Sequence, residues 1–119
     1  MGKIVCRTVL GREITVSAFP VGRDWIVSIF GGDTPHAGSA CIAWQENGQG
    51  KMASVVRPAH RDDVVACQVA EFLSRELRCS VIVNCGIHYD GVTKQEIREI
   101  VSAVMDMAGD LLSLLMPEL

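Results

Sequence analysis

DDVVACQVAEFLSRELRCSVIVN, residues 62–84, contains the change of period on which the fold turns. From about Asp62 to Leu77, Val65, Val69, Phe72 and Leu77 recur at helical spacing, with Ala66, Ala70 and Leu73 beside them. That spacing predicts a helix with one apolar face, and Asp62 and Asp63 in its first turn suit the positive end of the macrodipole. Ser80–Asn84 then makes a short β-branched run, the mark of an interior strand covered on both faces or packed under helices.

Upstream, the period is two. Ile4, Cys6, Thr8 and Leu10 alternate with Val5, Arg7 and Val9, and Gly11-Arg12 offers a turn. Further strands are predicted at about Arg12–Phe19, Trp25–Phe30, Ala40–Trp44 and Lys51–Val56, separated by Pro20 and Gly22, by GGDTPHAG (31–38), and by ENGQG (46–50). The stretch GGDTPHAG exceeds the roughly two to five residues that reverse a chain between adjacent strands, so it has work beyond turning.

Downstream, TKQE (93–96) reads as a capping box, and Val92 can staple onto Ile97. Ile97, Ile100, Val101, Val104, Ala108, Leu111, Leu112 and Leu115 form one stripe of a second helix, which Met105, Met107, Leu114 and Met116 widen beyond what one sheet face covers. A thick core helix is one reading of that width. The other is a helix shared with a second copy, a homodimer through Thr93–Met116. The expected fold is a single α+β domain over residues 1–119: an antiparallel or mixed sheet of about six strands in the order βββββαβα, with both helices on one face.

Bulk properties exclude several classes. A net charge of −3 and pI near 5.5 give no basic face for nucleic acid. Five cysteines without a CxxC pair argue against a disulfide framework or thiolate zinc, and fit free thiols in the cytoplasm. No signal peptide or membrane span is expected, because Asp106 and Asp110 interrupt the most apolar segment. Apolar residues make up 49% and mean hydropathy is +0.27, more than an isolated surface of this size needs, which again points to a partner.

If the strands alternate as a meander, the ends that carry His36, His60 and His88 emerge at one edge of the sheet. Asp33, Asp62 and Asp90 accompany them, each two or three residues away. Gly31, Gly32, Gly38 and Gly86 would let a ligand approach the main chain, and both helix starts would offer N–H groups to an anion. Taken singly, each feature also has a purely structural explanation: His60 as an N-cap, Asp90 closing a turn with Gly91, His36 ordering a loop after Pro35. Three imidazoles could also ligate a metal in a small hydrolase or lyase, but no HExxH-like spacing is present and a bound metal is not expected. Cys85, near His88, reads as a buried inert thiol before it reads as a nucleophile. Trp25 and Trp44, expected on neighbouring strands, read as core or interface.

GGDTPHAG, AHRDD (59–63) and GIHYDGVTKQEI (86–97), in this order and spacing, resemble the prenylated-flavin chaperone-like proteins. These include the small accessory subunit of gallate-type decarboxylases that use prenylated FMN. The resemblance spans nearly the whole chain and lies chiefly in these three loops. It implies a non-catalytic partner that helps a prenylated-FMN decarboxylase acquire or keep its flavin, and a structural kinship with dimeric proteasome-assembly chaperones. Carried over by position, the cofactor-binding residues would be Gly32, Asp33, Pro35, His36 and Gly38, then His60 and Asp62, then Gly86, His88 and Asp90. Ala59, where glycine is expected, and Ala37, where a larger aliphatic is expected, depart from the pattern. A scaffold that binds no ligand is the remaining alternative.

Overall fold

The computed structural model of the protein describes residues 2–58 and 62–116. Its elements are β1 (Lys3–Val9), β2 (Arg12–Val21), β3 (Asp24–Gly32), β4 (Ser39–Glu46), β5 (Gln49–Val56), α1 (Asp63–Leu77), β6 (Val81–His88) and α2 (Lys94–Leu115). Tight turns join the hairpins where backbone φ turns positive, at Leu10-Gly11, Gly22 and Asn47-Gly48. Pro20 lies inside β2, not beyond it as expected. β1 pairs with β2 only as far as Ala18, so no strand on that side asks Pro20 for an N–H.

The six strands form one mixed sheet in the order β1-β2-β3-β6-β4-β5. This corrects the meander. β3 and β4 are not neighbours: β6 lies between them, parallel to β3 and antiparallel to β4. Trp25 and Trp44 are therefore on strands separated by β6. Strand directions still alternate through the first five elements, so the edge that carries the ends of β3 and β6 and the start of β4 survives the correction.

The inserted strand explains why GGDTPHAG is long. The loop must pass over the end of β6 to reach β4, and its main chain lies along that strand. Asp33 and Thr34 donate N–H bonds to His88 O (2.7 and 3.3 Å), His36 to Gly86 O (3.3 Å) and Gly38 to Cys85 O (3.0 Å).

Both helices cover the same face, α1 over β4, β5 and β6, and α2 over β1 and β2. Ile14, Val16, Val27, Ile29, Val81 and Val83 from the sheet meet Ala66, Val69, Leu73, Val104, Met107 and Leu111 from the helices, all fully buried. β6 is thus an interior strand packed under helices on one side. Its other side, with Ile82 37% exposed, faces out.

Candidate functional site

The capping box at the start of α2 is present as predicted, with Glu96 N–H donating to Thr93 Oγ1 (3.1 Å) and Thr93 N–H to Glu96 Oε1 (3.0 Å). It sets α2 beside the end of β6 and the start of α1. Between these elements lies a cavity of about 450 Å³. Val64 and Val65 of α1, Ile87 of β6, and Val92, Ile97, Ile100 and Val101 around the α2 start wall it with apolar groups. Polar atoms come from His36, Asp62, His88 and Tyr89. A larger, more open concavity of about 670 Å³ runs over α1 beside Met52 and Arg75 and touches none of the histidines.

Asp62, the residue before α1, is the hub. Its Oδ2 lies 3.1 Å from His36 Nε2, and its Oδ1 accepts from Ile87 N–H at 3.3 Å. One carboxylate thereby ties together the loop, the helix start and the end of β6. The pair is largely shielded, with side chains 17% and 13% exposed. His36 Nδ1 sits 3.1 Å from Thr34 O, which can only accept, so that nitrogen carries a proton.

Asp33 makes a second clasp. It accepts from Arg12 Nε (2.7 Å) and from Asp90 N–H (3.0 Å), and these two, the backbone bond foremost, hold its carboxyl below the usual range. His88 borders the cavity, but its ring turns to Asp90 at 2.9 Å, with side chains 53% and 77% exposed. The structure therefore places His36, Asp62 and His88 around one cavity, with Asp90 in the connection from β6 to α2 and Asp33 in the loop from β3 to β4. Pro35 is exposed in that loop, and His60 lies outside the described residues. Among the described residues no group of three His, Cys, Asp or Glu is placed to hold a metal ion.

The glycines serve the chain's own packing. A Cβ on Gly86 would overlap the His36 carbonyl, one on Gly32 (φ +83°) the His88 carbonyl, and one on Gly38 would enter the space between Asp62 Oδ2 and His36 Nε2. The start of α2 is occupied by its capping box, whereas Asp62 at the N-cap of α1 makes no side-chain cap bond and turns its carboxylate to His36 and Ile87 N–H. The concave feature these residues enclose is the cavity. Cys85 is at its floor, and burial, with Asp62 nearby, pushes its thiol up to about 12, as expected of an inert thiol.

Three contributions escaped the sequence reading. Tyr89 is buried against the cavity, donating its hydroxyl to Val9 O at 2.7 Å. Arg12 holds Asp33 from a strand far away in sequence. Ile97, taken as core, is 48% exposed and walls the cavity. A signal for Ile97 was available: Val92, Ile97, Ile100 and Val101 cluster at the helix end nearest the histidines.

This arrangement of six strands and two helices is the fold of a chain in a chaperone complex for yeast 20S proteasome assembly. The likeness has a TM-score of 0.56, covers 95% of this chain and 96% of that one, and carries 12% identity, so it is a likeness of fold. Residues 8–116 match the prenylated flavin chaperone LpdD-like domain, and the chain belongs to that family. No curated protein matches it.

Proposed function

We propose that this chain is a non-catalytic accessory chaperone that holds prenylated FMN transiently and delivers it to, or keeps it on, a prenylated-FMN-dependent decarboxylase. The observation that carries the reading is the cavity, whose chemistry suits that cargo. Its volume falls within the roughly 300–1,000 Å³ typical of small-molecule sites. Its apolar walls match the hydrocarbon edge that prenylation adds to the flavin, while His36, Asp62 and His88 offer hydrogen bonds to polar ring atoms. Among the described residues the lining holds no Lys or Arg. Five free thiols are in keeping with a cytoplasmic setting. The reading includes a homodimer through the Thr93–Met116 region, where Leu114 of α2 and Met116 just past its end are exposed.

Calorimetric titration of the purified protein with prenylated FMN tests it. Wild type should give binding heat, and Ile97→Asp, which places a charge on an exposed wall, should bind about tenfold more weakly, equivalent to about 1.4 kcal/mol. Wild type should also raise the activity of a freshly reconstituted decarboxylase. Absence of both heat and activation with wild type would overturn the proposal.

A further inference from the structure

The inward side of β4 meets α1 along a seam of small side chains. Cys41 and Ala43 point inward from β4 and are almost wholly buried. Cys67, Ala70 and Ser74 recur three and four residues apart, so they form one stripe of α1. Two contacts set the stripe against the strand: Gln45 Nε2 donates to Ser74 Oγ at 3.2 Å, and the thiols of Cys41 and Cys67 share a hydrogen bond. Both elements start at the edge where His36 meets Asp62 and run the same way. From the first contact back to the second is therefore about 13 Å of strand and about 10 Å of helix, a close match. Between the two contacts the seam carries only the methyls of Ala43 and Ala70, both buried. Such small groups let a helix approach a strand closely, as a disulfide requires, with its Cα atoms no more than about 7 Å apart.

The two thiols differ in access. Cys41 is 1% exposed, and burial foremost, then the neighbouring Cys67, pushes its thiol up to about 12. Cys67 is half-buried and lines the open concavity over α1, beside Gln68, Glu71 and Phe72. A small oxidant entering there meets Cys67 first, with Cys41 directly behind it. An accessible thiol backed by a second that can resolve it is the arrangement of a redox-sensitive pair.

We propose that Cys67 and Cys41 form a modification site for hydroperoxides, closing to a disulfide that joins α1 to β4. The thiolate of Cys67 attacks one oxygen of the hydroperoxide and the O–O bond breaks. The leaving oxygen takes up the proton that the thiol gave up, forming water or an alcohol, and Cys67 becomes a sulfenic acid. Cys41 then attacks the Cys67 sulfur, the S–O bond breaks, and the hydroxyl leaves with the Cys41 proton as water. Two thiols give up two electrons, and one hydroperoxide takes them. α1 begins next to Asp62, whose carboxylate meets His36 and Ile87 N–H, so the new bond fastens the helix behind that hub to the sheet. The flavin takes no part in this chemistry, which stands or falls apart from the proposed function.

The test treats the reduced full chain with one equivalent of hydrogen peroxide, blocks the remaining thiols with N-ethylmaleimide in denaturant and maps the peptides by mass spectrometry. Cys6→Ser is the background, which removes the exposed thiol. A peptide pair joined through Cys41 and Cys67 should be the main oxidised product, and dithiothreitol should release it. Adding Cys41→Ser should leave Cys67 as a sulfenic acid that dimedone traps at least tenfold more than when Cys41 is present. Circular dichroism checks that this variant is folded, and the linked peptide, which needs neither cysteine replaced, decides the matter if it is not. The proposal is overturned if Cys41 and Cys67 both stay reduced, if Cys79 or Cys85 is oxidised ahead of them, or if Cys67 passes to sulfinic acid while Cys41 is still a free thiol.

Discussion

Replacing Gly86 by alanine should loosen the loop over β6, and the size of the effect follows from the contacts. The added methyl would overlap the carbonyl of His36 and lie 3.1 Å from the nitrogen of Ala37. Both are main-chain groups, held in place by N–H bonds from residues 33, 34, 36 and 38 to the β6 carbonyls. Nothing there can rotate away, so the loop must retreat by roughly an ångström or more to restore ordinary contact. Losing two or three of those bonds, at about 1 kcal/mol each, predicts a destabilisation of about 2–3 kcal/mol. At about 4 °C per kcal/mol for a chain of this size, the melting temperature should fall by about 10 °C. Gly109→Ala is the matched control. It lies within α2 with open space where its Cβ would go, and should stabilise by about 0.5–1 kcal/mol. Calorimetric melting of the two variants, with hydrogen exchange at the amides of His36 and Gly38, measures the contrast. If Gly86→Ala melts within a couple of degrees of wild type with those amides still protected, the account of the loop's path is wrong.

Asp33 gives the pH dependence. Its folded pKa lies below the ordinary carboxylate value, so its contribution to stability is present above about pH 4 and is lost as pH falls through the folded value. Asp33→Asn should therefore flatten the acid limb of a stability-against-pH curve, and an unchanged limb would show that the clasp to Arg12 and Asp90 N–H contributes nothing. Cys85, with its thiol pushed up to about 12, should remain unlabelled by iodoacetamide at pH 8 in the folded protein while exposed Cys6 labels readily. Peptide mapping decides it, and early labelling at Cys85 would mean that the cavity floor is open.

The sequence by itself determined the elements. Period two before residue 57, period 3.6 from Asp62 and the capping box at Thr93 are local patterns, and each element appears near where its pattern stands. Strand alternation also carried His36 and His88 to one edge without knowledge of which strands pair. Only the tertiary structure decided that β6 enters between β3 and β4, because pairing partners far apart in sequence leave no local period. From that insertion follow the long loop, the forced Gly86 and the links from Arg12 to Asp33 and from Tyr89 to Val9. The outward face of the sheet escaped for a related reason. Alternation shows that a strand has two faces, but which one the helices cover depends on where they dock, a matter of long-range packing that no stretch of local sequence records.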